Sequence, residues 1–334
     1  STILTFYRQD PWKLNYRHRS AWFLPTVYQR YVRYGRAVYR AIRSTVRQCD
    51  ASRVEYFNGR IVPTMSIRQA AVDEGRDYCA VEVSGKDRTL FLAHNAVVHD
   101  LDYLKGRLKH YRLTDEKREL GVRFFIDRKA GLRTTDRSYT SDQKGWTVSV
   151  QPGTRVVAVF LSSTDEFEIF GDQWFTQASR DPAGFLVELR RLMPRDAHLV
   201  VRMHPNQAGD RTGQADHIRR VLDNIDGLTL VPPRDKQSSY ELLERADVVV
   251  TFGSTIGLEA TYWGKPSILV GRCVWEDAGV AYVATTVAEV VKLLQESPSA
   301  RDREEAVRVA TYMMDSMERS EALAFDKQSG LFLA

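Results

Sequence analysis

Residues 248–260 read VVVTFGSTIGLEA, and this stretch decides the fold class. An apolar run of strand character stops at Gly253, two hydroxyl residues follow, and a helical pattern begins at Ile256. This order is typical of a doubly wound α/β sheet, in which ligands bind beyond the carboxyl ends of the strands. Because hydroxyl groups, backbone N–H groups and the start of a helix converge at the turn, the sequence predicts a phosphate site there.

The side chains predicted to bind this phosphate are Ser254 and Thr255, with Glu259 on the first turns of the helix. The alternative interpretation is that Ser254 or Thr255 simply caps the helix. Capping and phosphate binding use the same geometry, so the stretch alone leaves both open.

Strands and helices alternate on both sides of this turn. The predicted strands are 155–161, 199–203, 228–231, 247–251 and 267–270, and the predicted helices are 185–192, 218–222, 240–245, 256–263 and 287–295. This alternation predicts a parallel sheet covered by helices.

A second motif, VVRMHPN at 200–206, places His204 at the carboxyl end of a strand, where Pro205 restricts its backbone. We expect His204 to donate a hydrogen bond to a phosphate oxygen or to assist the leaving group, with Arg202 beside it as a nucleotide-binding cation. A lone histidine is more often structural. The functional interpretation gains support because strands ending at 203 and 251 open on the same edge of a parallel sheet.

An acidic loop, SSTDEFE at 162–168, directly follows the strand predicted at 155–161. Its carboxylates offer a nucleophile or general base for sugar transfer, with Asp165 as the first candidate and Glu166 as the second. The alternative is that these residues are only exposed or cap the next helix.

The first half of the sequence has the order of a βαβ unit, with a strand predicted at 54–57, a helix at 65–74 and a strand at 78–83. Asn58 and Arg60 stand at the turn after the first strand and are candidates for binding an anionic acceptor. An Asn-Gly turn also needs no function to explain it.

The net charge of +5 hides an asymmetry, because residues 1–150 carry 28 Lys and Arg against 16 Asp and Glu. Residues 8–47 contain ten basic residues and one acidic residue, and 26–48 has the periodicity of an amphipathic helix with an arginine stripe. The segment predicts docking on an anionic membrane surface or an anionic glycan, with a solvated helix face as the alternative. No recognition motif favours nucleic acid.

Length and composition predict two lobes, with an acceptor-binding domain at 1–150, a nucleotide-sugar-binding domain at 151–300 and a helical tail at 301–334. Residues 112–154 have the mixed composition of an interdomain segment. The sequence shows neither a signal peptide nor a membrane span, which predicts a cytoplasmic protein. Three widely spaced cysteines and the isolated Asp100-Leu101-Asp102 give no metal-site pattern, so no metal or cofactor is expected.

These motifs together resemble the bacterial capsule and surface-polysaccharide glycosyltransferases. The matching stretches are FNGR (57–60), SSTDEF (162–167), RMHPN (202–206), GSTIGLEA (253–260) and GKP (264–266). The resemblance implies an α/β fold of GT-B type, with two Rossmann-like domains whose parallel sheets face a central cleft. It implies a nucleotide-sugar donor, CMP-Kdo above all, a glycan or glycolipid acceptor of capsule or lipopolysaccharide O-antigen synthesis, and no metal requirement.

The same resemblance assigns the nucleotide phosphate to His204, Ser254 and Thr255, and a retaining nucleophile to Asp165. Two alternatives stay open. A CDP-polyol phosphotransferase of teichoic-acid type has a similar layout, in which His204 is the general base. A non-catalytic lobe that binds anionic polysaccharide within a larger synthase belongs to a different class.

Overall fold

A computed structural model of the protein describes residues 23–83, 89–132, 143–163, 168–209, 213–319, 324–326 and 331–333. The chain forms two compact units, residues 1–103 with 316–334 and residues 104–315. The sequence predicts a boundary near residue 150 and a separate tail at 301–334. The division differs because helices at 115–129 and 303–315 pack on each other within the second unit.

Helices and strands alternate along most of the chain. The helices, in chain order, are α1 (Phe23–Gln48), α2 (Val62–Asp73), α3 (Leu101–His110), α4 (Asp115–Lys129), α5 (Gln177–Arg180), α6 (Pro182–Leu192), α7 (Gln214–Leu222), α8 (Ser239–Arg245), α9 (Ile256–Tyr262), α10 (Val287–Glu296) and α11 (Arg303–Asp315). The strands are β1 (Arg53–Phe57), β2 (Asp77–Val83), β3 (Thr89–His94), β4 (Arg155–Phe160), β5 (Ala197–Arg202), β6 (Leu228–Val231), β7 (Val248–Thr251), β8 (Ser267–Leu269), β9 (Tyr282–Val283), β10 (Glu318–Arg319), β11 (Ala324–Asp326) and β12 (Leu331–Leu333).

The first unit contains a four-stranded sheet of order β1-β2-β3-β10. β1 and β2 are parallel and joined by α2, which confirms the predicted βαβ unit. β3 is antiparallel to β2 and β10 is antiparallel to β3, so this sheet is mixed where the sequence analysis predicts a parallel one. The reason is length, since only residues 84–88 separate β2 from β3 and a parallel crossover needs a dozen residues or more.

The long helix α1 confirms the helix predicted at 26–48 and packs against α2. The two helices approach closely at Gly35, where an added Cβ would lie 2.8 Å from Val62 Cγ1. Arg43 and Arg47 both pair with Glu74, and Arg47 Nε lies 2.7 Å from Glu74 Oε2. Part of the arginine stripe therefore holds the two helices together. No helix within the described ranges is long and apolar enough to cross a bilayer.

The second unit contains a six-stranded sheet of order β6-β5-β4-β7-β8-β9, and all its pairings are parallel. Successive side chains of each strand enter cores on opposite faces. Val157 and Val201 pack with α6, α7 and α10, whereas Ala158 and Val200 pack with α8 and α9. Strands buried on both faces explain why the chain shows nearly continuous apolar runs here rather than alternation.

Helix α4 lies inside the segment 112–154, which the sequence analysis predicts to be interdomain, so that prediction is wrong for residues 115–129. Phe125 is fully buried and stacks on Tyr262 with ring centroids 4.0 Å apart. At Gly121 an added Cβ would lie 2.5 Å from the carbonyl oxygen of Val307, so only glycine lets α4 and α11 approach this closely. The helix therefore forms part of the core of the second unit.

Candidate functional site

Three neighbouring strands of the second sheet end in one row. In the parallel ladders, Phe160 at the end of β4 lies opposite Arg202 of β5 and opposite Thr251 of β7. The loops that follow these strands therefore leave the sheet at the same edge, as predicted. This edge brings together the Ser162-Ser163 segment, the His204 segment and the turn at 253–255.

The ring of His204 is fixed by its own loop. Its Nδ1 accepts a hydrogen bond from the backbone N–H of Asn206 at 3.2 Å, and its backbone N–H donates to Gln207 Oε1 at 3.1 Å. A neutral ring whose Nδ1 accepts carries its proton on Nε2. His204 is thus arranged as a hydrogen-bond donor through Nε2.

Arg202 is buried, with 3% of its surface exposed, and points to the same face of the sheet as Val200. Its Nη2 donates to the carbonyl oxygen of Asp235 at 2.8 Å, whereas Nε and Nη1 have no hydrogen-bond partner among the described residues. Burial lowers the pKa of Arg202 from its usual value, because the charged form is poorly solvated. Both N–H groups are enclosed by the protein, and the phosphate-binding role of Arg202 stays a prediction.

The turn at 253–255 is closed internally by a side chain of β7. Thr251 Oγ1 accepts hydrogen bonds from the backbone N–H groups of Ser254 at 2.9 Å and of Gly253 at 3.3 Å. The expectation that these N–H groups are open to a phosphate is therefore wrong. The capping alternative does not describe Thr255, because its side chain makes no cap hydrogen bond and donates instead to Glu259 at 3.2 Å. It does fit Ser254, whose hydroxyl accepts from the backbone N–H of Ile256 at 3.5 Å.

Glu259 lies in a buried polar cluster beneath this turn, with only 1% of its surface exposed. Its carboxylate accepts from Arg128 Nε at 3.2 Å, from the Thr255 hydroxyl and from the Tyr240 hydroxyl. Burial and the neighbouring Glu259 carboxylate raise the pKa of Tyr240, which keeps its hydroxyl protonated as a donor. The cluster therefore holds the side chain of Thr255 from the buried side of the turn.

Arg128 is a member of this cluster that sequence reasoning missed. It belongs to α4, and its Nη2 also donates to the Thr255 hydroxyl at 3.2 Å. Lys265 is the cation that follows α9 in the sequence. It donates to the backbone carbonyls of Glu244 and Ala246 at 2.7 and 2.9 Å. Lys265 therefore joins α8 to the segment before β8.

A cleft opens between the loops of this sheet edge. One wall is aromatic, with Trp174 and Phe175, and the polar side chains include Ser162, Gln207 and Arg272. The complete lining is Leu161, Ser162, Ser163, Trp174, Phe175, Ser179, Pro182, Gln207, Gln214, Phe252, Gly253 and Arg272. Ser162 Oγ is enclosed and has no hydrogen-bond partner within the described parts of the chain.

The two candidate catalytic carboxylates, Asp165 and Glu166, lie outside the described residues. Their proposed roles stay predictions. Ser162 and Ser163, which precede them, line the cleft.

In the first unit, Asn58 and Arg60 form a tight turn at the end of β1. Asn58 is buried with a left-handed φ of 61°, donates to Glu82, and accepts from the backbone N–H and Nε of Arg60 at 3.1 and 2.8 Å. Burial, followed by the positive charge of Arg60, lowers the pKa of His99 to about 4. No sequence pattern places His99 beside this turn, since it follows β3.

The sequence predicts no metal site. Among the described residues, no group of three or more His, Cys, Asp or Glu side chains is placed to hold a metal ion. Asp100 accepts from the backbone N–H of Tyr103 at 3.1 Å and so serves the start of α3.

The parallel sheet of the second unit, whose loops meet at one edge, and the βαβ unit of the first define an α/β protein of the doubly wound class. A family model described as "capsule polysaccharide biosynthesis protein" matches residues 106–314, so the chain belongs to this family. The family membership confirms the resemblance seen in the sequence. No curated protein matches the sequence significantly.

Two solved structures share the fold. The β-Kdo 2,4 transferase KpsC of Thermosulfurimonas dismutans is 15% identical, with a TM-score of 0.54 over 78% of this chain and 79% of that one. The β-Kdo 2,7 transferase KpsC of the same organism is 12% identical, with a TM-score of 0.53 over 87% of this chain and 84% of that one. At these identities the likeness establishes the fold alone, and the predicted α/β fold of GT-B type is confirmed, except that the sheet of the first unit is mixed.

Proposed function

We propose that the protein is a glycosyltransferase of capsule polysaccharide synthesis that transfers a sugar from a nucleotide donor, with CMP-Kdo as the favoured donor. The observation that carries the proposal is the shared edge of β4, β5 and β7, where Phe160, Arg202 and Thr251 end in register. Ligands in doubly wound sheets bind beyond such an edge. The family and the fold shared with two Kdo transferases support this chemistry.

The geometry of His204 supports a role in binding the donor phosphate. With Nδ1 accepting from Asn206, the Nε2–H group is the donor, and a neutral donor next to a phosphate oxygen stabilises charge as the nucleotide leaves. The Ser254 hydroxyl is a second ligand in this proposal. Arg202 and Glu259 act from buried positions, through the backbone segments that they hold.

The transfer step is proposed to proceed with retention. Asp165 attacks the anomeric carbon of the donor sugar, and the bond to the nucleotide phosphate breaks as the nucleotide leaves. The acceptor hydroxyl then gives up its proton to solvent and displaces Asp165, which leaves as a carboxylate. Glu166 is the second candidate for this role. Asn58 and Arg60 are the proposed contacts for an anionic glycan or glycolipid acceptor.

The same histidine geometry makes a CDP-polyol phosphotransferase the less favoured function for this protein. A general base needs an accepting nitrogen facing the acceptor hydroxyl, and the accepting Nδ1 of His204 is already engaged by Asn206. The non-catalytic alternative predicts that substitutions of Asp165 and His204 leave any turnover unchanged.

Association with an anionic membrane at the cytoplasmic face is a separate proposal. It rests on α1, which exposes Arg30, Arg33, Arg36 and Arg40 in addition to Arg47, the partner of Glu74. Tyr28 and Tyr34 of the same helix are 64% and 53% exposed. Co-sedimentation with vesicles containing phosphatidylglycerol, compared with neutral vesicles, tests it, and equal binding to both would exclude the electrostatic interpretation.

The enzymatic proposal is tested by incubating the protein with CMP-Kdo, CDP-glycerol or UDP-sugars and a Kdo-terminated oligosaccharide, and by measuring which nucleotide is released. Release of CMP only from CMP-Kdo is expected. His204→Ala and Asp165→Asn should each reduce release by at least about 100-fold. The matched control is His198→Ala, because His198 lies at the other end of β5 and bonds Thr229. Release of none of the nucleotides would refute the proposal.

A further inference from the structure

The loops after β7 and β8 touch through two glycines at the edge of the cleft. An added Cβ on Gly271 would lie 2.2 Å from the carbonyl oxygen of Phe252. An added Cβ on Gly253, which has a φ of 116°, would lie 2.8 Å from the carbonyl oxygen of Arg272. Backbone contact on both sides fixes Arg272 directly beside the turn that carries Ser254.

The guanidinium of Arg272 is held by a buried carboxylate. Its Nε and Nη2 both donate to Glu276, at 2.8 Å to Oε2 and 2.8 Å to Oε1. Lys105 of α3 lies 2.6 Å from Glu276 Oε1 and also pairs with Asp277. Burial raises the pKa of Glu276, but hydrogen bonds from Arg272 and Lys105 outweigh it, so the net pKa lies below the usual value.

The arrangement places the guanidinium of Arg272 at the cleft, whereas its partner Glu276 is not among the described lining residues. Arg272 lines the cleft with about a third of its side chain exposed, at 32%, whereas the side chain of Glu276 is 9% exposed. Among the described residues the lining contains no carboxylate. On the facing loop, the enclosed Ser162 hydroxyl has no protein partner in the described ranges. The planar guanidinium carries five N–H donors, and its fork matches the oxygens of a phosphate or a carboxylate.

We infer that Arg272 forms an anion-binding subsite of this cleft, in which Glu276 is the positioning residue. The ligand is an oxyanion of the donor, either the nucleotide phosphate or the carboxylate of an acidic sugar. The inference rests on the proposed function, since it takes the donor to lie in this cleft. It adds a cation that the sequence analysis did not identify, because Arg272 follows β8 outside every motif.

The test measures binding of CMP and inorganic phosphate by calorimetry and of free Kdo by saturation-transfer NMR, with wild type, Arg272→Gln and Arg272→Lys. Arg272→Gln is expected to weaken CMP or Kdo binding by about 10- to 100-fold, and Arg272→Lys by less, because lysine keeps the charge and loses the planar fork. Arg118→Gln is the matched control. It breaks a similar two-bonded pair with Glu304 in the same unit, away from the cleft.

Glu276→Gln tests the positioning role. Alone it should weaken anion binding less than Arg272→Gln does. In the Arg272→Gln background it should cause no further loss of affinity, a non-additivity that general destabilisation would not produce. Equal additional loss in both backgrounds would assign Glu276 a structural role only.

The outcomes separate this subsite from the proposed function. Loss of CMP and phosphate binding identifies the phosphate, and loss of Kdo binding alone identifies the carboxylate; both support the subsite. Unchanged affinity for every probe in Arg272→Gln overturns it, as does a wild-type protein that binds none of them. If the wild type binds and Arg272→Gln does not, yet no donor is turned over, the subsite stands and the transferase proposal fails.

Discussion

Replacing Arg128 by glutamine leaves the carboxylate of Glu259 buried without a cation among the residues that the structure describes. Glu259 is 1% exposed and Arg128 24% exposed, so solvent does little to replace the lost partner. Removing one partner of a buried ion pair costs about 3–5 kcal/mol. Because the hydroxyls of Tyr240 and Thr255 still donate to the carboxylate, we expect the lower end, about 3 kcal/mol at neutral pH.

The assay is urea unfolding, followed by tryptophan fluorescence, to which the buried Trp275 of the second unit contributes. Arg128→Gln, Glu259→Gln and the double variant complete a thermodynamic cycle, in which the double variant should cost at least about 1 kcal/mol less than the sum of the single variants. Arg118→Gln, which breaks an exposed pair, should change the free energy of unfolding far less. Additive single effects, or an Arg128→Gln variant as stable as wild type, would refute the reasoning.

Three further predictions concern other parts of the molecule. Gly271→Ala forces a methyl group against the Phe252 carbonyl and should lower the free energy of unfolding by about 1–3 kcal/mol in denaturant titrations, whereas Gly106→Ala, where an added Cβ meets nothing within 4 Å, should not. Hydrogen bonds from two arginines of α1 hold the pKa of Glu74 at about 2, below its ordinary 4.5, so the stability difference between wild type and Glu74→Gln should be full above pH 4.5 and vanish as pH falls towards 2. The C2 proton of His99 should titrate by NMR near pH 4 rather than 6.5, because burial keeps the ring neutral; a midpoint above 6 contradicts this.

The sheet of the second unit could be predicted from the sequence because its strands are short apolar runs bounded by turn residues. The strand predicted at 228–231 agrees with β6, and the run at 247–251 differs from β7 by one residue. The edge that collects His204 and Ser254 follows from the parallel pairing of such strands. The groups that His204 and Ser254 contact at that edge depend on the direction of their side chains, which the pattern of apolar residues does not encode.

Helix α4 was missed because its apolar residues, Val122 to Ile126, are clustered in a run interrupted by Arg123 rather than spaced along one face. Its burial comes from tertiary packing on α11, almost 200 residues later in the chain. Thr251 closing the turn at 253–255 was missed for a related reason, since its side chain acts on residues that the motif had already assigned to a ligand. In both places the local sequence is compatible with two structures. For α4 the contact with α11 selects one of them, and at the turn the contact with the side chain of Thr251 does so.

The short strand β10 determines how long part of the first sheet stays unpaired while the chain is synthesised. It pairs with the first two residues of β3, with Glu318 opposite Leu90 and Arg319 opposite Thr89. During synthesis β3 emerges more than 200 residues before its partner, so its backbone N–H and C=O groups stay available for pairing until the whole second unit has been made. An uncovered strand invites pairing with other chains. Ribosome-bound or prematurely terminated chains should therefore self-associate through β3, and that hazard ends only when β10 itself, which follows α11, has been made.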